Sequence, residues 1–443
     1  EEDNMDLEED GGKQFRSCVD IGLTVQIYGK TLDGRTCVVF ATGYRPHFYV
    51  KVADYWTNSV RTGFVAMISS QMGSYYEDSI VSSCLVRHKC LYGFNAGSKG
   101  KFIKMVFANE RAFKKASRLW YKDGMLTKLK YKDYATELYE AKLPPMIKMM
   151  HDLKIRPSGW ISIKKSDLSP SGERTTCQVS VRTNWRNIVP LLKEEAVPYK
   201  TMSYDIEASS SHGDFPVAIK TYRKLAEDYA LGCYKTDQLG SVLSTAFQLE
   251  GGSNKDINVV YPKEVEVCEK DIEKWCAQIM KTRVVTDDED LVKYNGATLS
   301  AIDTMDIKHA ERVGLITTVF DRCLPKLEGD KVTFIGSTFM RYGESDPYRK
   351  TIIALGECAD IPGAEVISCG SEKEVLLKWS SLVQQEDPDI VLGYNTMGFD
   401  DSFLYERSLE LECSHSFLKV SRLRNEQCIE RNWSDETEDI ASS

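Results

Sequence analysis

Two acidic residues separated by one position open the chemical reading of this sequence. They lie in Ser203-Tyr204-Asp205-Ile206-Glu207-Ala208. On an extended strand, side chains two apart share a face. Met202, Tyr204 and Ile206 then look one way, and Asp205 and Glu207 the other. Two carboxylates roughly 6.5 Å apart along a strand repel each other unless a cation lies between them. The spacing suits a pair of magnesium ions about 3.5–4 Å apart. Taken alone, Asp-x-Glu reads more readily as two acids on the solvated face of an edge strand.

A second group stands nearly two hundred positions on, in Gly393-Tyr394-Asn395-Thr396-Met397-Gly398-Phe399-Asp400. An apolar strand here hands over to a helix, and ligands of open α/β sheets bind at such strand ends. Asp400 falls in the first helical turn, placed to reach back over the sheet. Asn395 at the strand end can donate a hydrogen bond to a metal-bound carboxylate or to a ligand. Phe399 can pack beneath the site or stack on a ring. The plainer alternative makes Asp400 a helix N-terminal acid favoured by the dipole, with Asn395 shaping a turn.

Elements that would position these residues are legible around them. Thr201–Ala208 reads as a short strand. Val332–Arg341 and Lys350–Glu357 read as a hairpin. Ser371 and Glu374 have the spacing of a capping box, followed by the stripe Val375, Leu376, Trp379, Leu382 and Val383. Pro388 stops that helix. Ile390–Tyr394 is almost wholly apolar, which predicts a strand covered on both faces. A helix follows from about Phe399 to Leu411. Between Ser209 and about Gly329 the pattern is less regular, with helices near Ile219–Leu231 and Lys270–Met280 and surface at Gly251–Asn254 and Asp287–Asp290.

Upstream the pattern is β-rich. Val19, Ile21, Leu23, Val25 and Ile27 alternate strictly, and strands are expected over Cys37–Ala41, His47–Val52, Val81–Tyr92 and Lys101–Phe107. Asn109–Tyr121 carries Phe113, Ala116, Leu119 and Trp120 on one helical face. A short helix and the strand Trp160–Ile163 follow, and Pro190 to Pro198 reads as a linker. Arg87–Lys132 interleaves Lys and Arg with Tyr92, Phe94, Phe102, Trp120, Tyr121 and Tyr131. Such a stretch can follow a phosphate backbone and stack on bases, with Lys114, Lys115 and Arg118 as candidate contacts. It reads as well as a charged face over an ordinary core.

Composition bounds the class. A chain of 443 residues exceeds one compact core. Its 42% hydrophobic and 28% charged residues are those of a globular protein. No apolar run is long enough to span a membrane, and the acidic opening Glu1–Asp10 is not a secretory signal. The 13 cysteines form no CxxC pair, which favours reduced thiols in an intracellular compartment. A net charge of −9 argues against a surface built to wrap duplex DNA, without excluding a local basic groove. The six histidines show no metal spacing, and His212 reads as structural.

Together, Asp-x-Glu on a strand and Tyr-Asn-x-x-x-Phe-Asp at a strand-to-helix turn resemble the first two exonuclease motifs of family B DNA polymerases. The hairpin, the capped helix and Asp387-Pro388-Asp389-Ile390-Val391-Leu392-Gly393-Tyr394-Asn395 look like the delta-type branch. Ser211-His212-Gly213-Asp214-Phe215-Pro216 is similar to polymerases of large nucleocytoplasmic DNA viruses. Gly43-Tyr44-Arg45-Pro46-His47-Phe48-Tyr49-Val50, Leu91-Tyr92-Gly93-Phe94 and Lys101–Tyr121 resemble the family's N-terminal domain.

The resemblance implies an α/β protein in three stretches. A disordered acidic start occupies 1–13, and a β-rich N-terminal domain 14–198. A ribonuclease-H-like 3′→5′ exonuclease domain follows over 199–443, with a mixed sheet and a large insertion at about 230–329. It implies two Mg2+ ions, replaceable by Mn2+, held mainly by Asp205, Glu207 and Asp400. Tyr394, Asn395 and Phe399 would support the site or meet DNA. The implied partners are a primer 3′ end, single-stranded template and, through a longer parent protein, a sliding clamp or accessory factors. The implied setting is the nucleus or a viral replication site in host cytoplasm. The family's third exonuclease motif, a Tyr with an Asp four residues on, is missing. After Asp401 only Asp435 and Asp439 remain, and after Tyr405 no tyrosine. The polymerase motifs are missing too. The expectation is an N-terminal portion of a polymerase with little or no exonuclease activity of its own. A stand-alone exonuclease and a non-catalytic nucleic-acid-binding module are the alternatives.

Overall fold

The computed structural model describes residues 22–76, 78–89, 97–122, 124–210, 215–249, 256–263, 266–285 and 296–429. The acidic start, Leu91–Phe94, His212, Gly251–Asn254 and Asp287–Asp290 lie outside them. The described chain divides into two compact units, one running to Tyr199 and including Arg422–Asn425, the other spanning Lys200–Ser421.

The first unit is built on two larger sheets. Leu23–Lys30 pairs antiparallel with Thr36–Tyr44, which is joined on its other edge by the parallel strand Val179–Asn184. The second sheet runs in the order Ile80–Lys89, Lys99–Phe107, His47–Val52, Tyr134–Tyr139, Leu129–Tyr131. Phe48, Val50, Ile103 and Met105 on that sheet bury against Phe64 and Ile68 of the helix Asn58–Met72 and Phe113 and Ala116 of the helix Glu110–Ser117. Asn109 starts the latter helix by accepting from the Ala112 N–H at 2.9 Å. A 3-10 turn, Arg118–Trp120, ends it. Part of the expected linker is ordered: Val189–Leu191 pairs with Trp160–Ser162.

The second unit carries a five-stranded mixed sheet in the order Glu365–Cys369, Arg349–Leu355, Lys331–Arg341, Lys200–Ser209, Ile390–Leu392. Lys200–Ser209 is antiparallel to Lys331–Arg341 and parallel to Ile390–Leu392. The helices Glu372–Glu386 and Asp400–Glu410 cover it, burying Val375, Leu376, Trp379, Phe403 and Leu404 against Met202, Ile335 and Ile353. Ser371 caps its helix by accepting from the Glu374 N–H, while Glu374 reaches back to the Gly370 N–H at 2.9 Å instead of to Ser371.

Two expectations are corrected. Ile390–Leu392 is not covered on both faces: it is the sheet's edge, and Val391 is half exposed. An unbroken apolar run does not say which side faces solvent, and the edge position follows from the strand order. The stretch after Ser209 is not irregular either. Its helices Arg223–Leu231, Leu239–Ala246, Glu269–Lys281, Leu299–Ile302 and His309–Cys323 enclose a core of their own around Leu243, Ile279, Ile316 and Phe320.

Candidate functional site

On the strand Lys200–Ser209 the burial alternates as the sequence requires: Met202, Tyr204 and Ile206 are buried, Asp205 and Glu207 exposed. A β-bulge follows Glu207, so that Glu207 faces Phe334 and Ala208 faces Val332 on the neighbouring strand. The parallel edge strand pairs only with Thr201–Ser203. Beyond it the edge of the Asp205 strand needs another acceptor, and Asp400 supplies one. Its Oδ1 accepts from the Ile206 N–H at 3.2 Å.

Asp400 reaches there because of the turn before it. Gly393 sits against the Asp205 strand so closely that a Cβ would fall 2.8 Å from the Tyr204 carbonyl oxygen and 2.2 Å from Thr396 Cγ2. Asn395 then takes the left-handed conformation, φ 56°, which asparagine tolerates. Its side chain lies over Gly398, where a Cβ would come within 2.5 Å of Asn395 Oδ1. The 3-10 turn Thr396–Gly398 delivers Asp400 as the first residue of its helix. Asp401 beside it is exposed and accepts from the Tyr204 hydroxyl, a second tie between strand and helix.

Asp400 is only 3% exposed. Burial raises its carboxyl above the ordinary range; the Ile206 N–H lowers it, and the neighbouring Asp205 carboxyl, within hydrogen-bonding reach, raises it again. A buried carboxyl that a neighbouring carboxyl raises makes with it an oxygen donor pair that favours a hard cation. Magnesium is commonly bound by one or two carboxylates plus substrate phosphate, so the pair fits that ion. Glu207 shares the strand face with Asp205 but is not drawn into the pair. Among the described residues no group of three or more His, Cys, Asp or Glu is close enough to hold a metal.

Aromatic and apolar side chains rim the carboxylates. Phe399 packs between Phe403 and Phe215, tilted to both rings, each at 5.2 Å between ring centroids. Phe215 is 74% exposed, Met397 80% and Tyr394 95%. Phe215 stands in the Ser211–Pro216 stretch that carries the viral resemblance, but nothing in the sequence places it against Phe399. The basic–aromatic stretch of the first unit resolves differently. Lys114, Lys115 and Arg118 are exposed, with Lys114 paired to Glu110 at 3.2 Å. Phe102 and Trp120 are buried in or beside the core. They cannot stack on bases there, because the strand position of Phe102 and the turn position of Trp120 both face inward. The described cysteines form no disulfide.

Comparison with known proteins adds to this geometry. The family model for the DNA polymerase family B exonuclease domain matches residues 136–223 and 304–442, together just over half of the chain. This chain belongs to DNA polymerase family B. The unmatched interval falls within the helical insert. A DNA polymerase of Phaeocystis pouchetii virus is 31% identical, covering 95% of this chain and 47% of its own length. One of Pyramimonas orientalis virus is 30% identical, covering 90% and 35%. The DNA polymerase delta catalytic subunit of Schizosaccharomyces pombe is 19% identical, covering 91% and 27%. The chain thus spans less than half the length of these curated relatives. Family membership implies DNA binding and, in general, use of a divalent metal. Among the described residues no helix is long and apolar enough to cross a membrane.

Proposed function

We propose that this family B chain is the N-terminal and exonuclease portion of a replicative DNA polymerase, acting at an intracellular site of DNA replication. Asp205 and Asp400, joined by Glu207, would hold divalent metal at the 3′ end of a frayed primer. The reading rests on Asp400 being carried over the sheet edge to the Ile206 N–H, next to Asp205 on the same strand. Two Mg2+ ions, with Mn2+ as substitute, would supply a lowered water pKa and charge neutralisation at the leaving oxygen. The chain's own residues do the rest. Asp400 fixes the strand edge through Ile206. Asn395 presents its amide at the strand end. Phe399, supported by Phe403 and Phe215, offers a face for an unpaired base, and Tyr394 offers another. A mispaired end reaches this site as a single strand, so fraying selects the substrate. Polymerisation, a primer–template and a sliding clamp or accessory factors belong to the longer protein that the relatives suggest.

The separate Glu207 favours one second reading, a nucleic-acid-binding module without catalysis. Isothermal titration with Mn2+ separates the two. Binding that disappears in Asp205→Ala and Asp400→Ala is expected; an intact chain that takes up no Mn2+ would leave only the binding module.

A further inference from the structure

Seven residues after Asp400, on the same buried face of its helix, lies Arg407. Seven positions are close to two full turns, so the two side chains stand nearly in line along the helix. Arg407 is 1% exposed, among the most deeply buried large side chains of the molecule. Every arm of its guanidinium is engaged. Nε donates to Glu372 Oε1 at 2.8 Å and Nη2 to Glu372 Oε2 at 2.6 Å. Nη1 donates to the Ala218 carbonyl at 3.0 Å and to Glu410 Oε2 at 2.6 Å.

Its partners reach the strands of the site. Glu372 Oε1 also accepts from the Val332 N–H at 2.9 Å, and Val332 faces Ala208 across the ladder. Ala218 belongs to the segment leaving the Asp205 strand. Glu410 accepts from the Gly329 N–H, and Lys263 of the insert donates to the Glu410 carbonyl at 2.9 Å. The two roots of the insert are themselves stapled by Asp330, which accepts from the Val217 N–H at 2.9 Å and pairs with Lys220 at 2.6 Å. Gly329 leaves no room for slack: a Cβ there would lie 1.9 Å from the Ala218 oxygen and 2.2 Å from Arg407 Nη1.

We propose that Arg407 is a positioning residue for Asp400: its forked pair with Glu372, and its bonds to Ala218 and Glu410, fix the helix along its own axis against the Asp205 strand and the roots of the insert. An apolar face alone resists separation of helix and sheet but permits sliding, since hydrophobic contact is non-directional. A planar guanidinium held at both ends of its fork does not. The inference rests on reading Asp400 as a metal-holding carboxylate, but its structural half does not.

The test compares Arg407→Met/Glu372→Gln, which removes the fork, leaves no unpaired buried charge and keeps an acceptor for Val332, with Ile353→Ala. The latter cuts the same core two strands away from Asp205. The two variants are compared at denaturant concentrations that give equal global stability. In metal-free protein, hydrogen exchange of the Ile206 amide, whose acceptor is Asp400, is expected to quicken about tenfold or more in the fork variant and to stay near wild type in Ile353→Ala. Mn2+ affinity should fall about 10- to 100-fold in the fork variant alone, the size seen when supports of metal ligands are lost. Equal exchange at Ile206 in the two variants would overturn the positioning role. A wild-type chain that takes up no Mn2+ would instead sink the metal reading, while the exchange result still decides on Arg407.

Discussion

The hydroxyl of Tyr204 donates to the carboxylate of Asp401, while the backbone of Ile206, two residues along, donates to Asp400. Adjacent aspartates on one helix thus divide their work. Asp401 ties the helix to the sheet from the outside, and Asp400 turns inward to Asp205. The Tyr204 hydroxyl is well suited to its part. Burial first, then the Asp401 carboxylate, raise it above the ordinary phenol range, so it remains a donor at any working pH.

Tyr204→Phe should therefore cost stability without emptying the site. A hydrogen bond to a charged group is worth about 1.5–3 kcal/mol when shielded. Asp401 is exposed, which screens the interaction, so a loss of about 1 kcal/mol is expected by urea unfolding. Mn2+ affinity should change far less than in Asp400→Asn. If Tyr204→Phe and Asp400→Asn weakened Mn2+ binding equally, the division of roles would be wrong.

Gly393→Ala probes the turn. Thr396 can rotate away from a new methyl group, but the Tyr204 carbonyl, 2.8 Å from it, is backbone and cannot. Overpacking of this kind costs about 1–3 kcal/mol. The urea midpoint should drop with an unchanged slope. The Ile206 amide should lose exchange protection too, because the turn delivers Asp400. A midpoint equal to wild type would show that the strand end yields.

Much of this arrangement was legible in the sequence, and the failures have physical causes. Period-two alternation placed Asp205 and Glu207 on the exposed face, and Tyr-Asn-x-x-x-Phe-Asp placed the strand-to-helix turn. The helix Asn58–Met72 was missed because Asn58, Ser59, Thr62, Gly63, Ser69 and Ser70 are weak helix formers, and its burial of Phe64, Ile68 and Met72 is a tertiary effect. The edge status of Ile390–Leu392 depends on strand order, which local pattern does not encode. The Arg407 fork is hidden for the same reason: that Glu372 and Ala218 meet Arg407 depends on how distant segments pack.

His47 gives the first unit a pH dependence. It is buried, and its ring faces Lys104 and Lys148 as well as Asp152 and the Arg45 carbonyl. Burial foremost, then Lys104, push it down to about 4, with Asp152 opposing. The unfolded chain titrates near 6.5. Between those values the unfolded state binds more protons, so stability rises with pH. The contribution is complete above about 6.5 and is lost as pH falls toward 4. Exchange protection in His47–Val52 should decline across that window in wild type. The decline should be blunted in His47→Phe; an identical decline in both would assign it to other groups.

Exonuclease activity is the severest check on the site as a whole. Asp400 reaches the strand of Asp205 through the Ile206 N–H, no group of three or more metal-binding side chains forms among the described residues, and the sequence shows no Tyr-x-x-x-Asp after Asp401. A missing carboxylate removes part of a metal stabilisation worth several kcal/mol, roughly a hundredfold to several-thousandfold in rate. This chain alone should therefore degrade a labelled single-stranded oligonucleotide in Mg2+ or Mn2+ at near-background rates. It should nonetheless take up Mn2+ in a manner that depends on Asp205 and Asp400. A longer version that adds a third-motif aspartate should gain activity, and Asp400→Ala in that version should abolish it. Brisk degradation by the present chain, unaffected by Asp400→Ala, would mean that the hydrolytic centre lies elsewhere in the molecule.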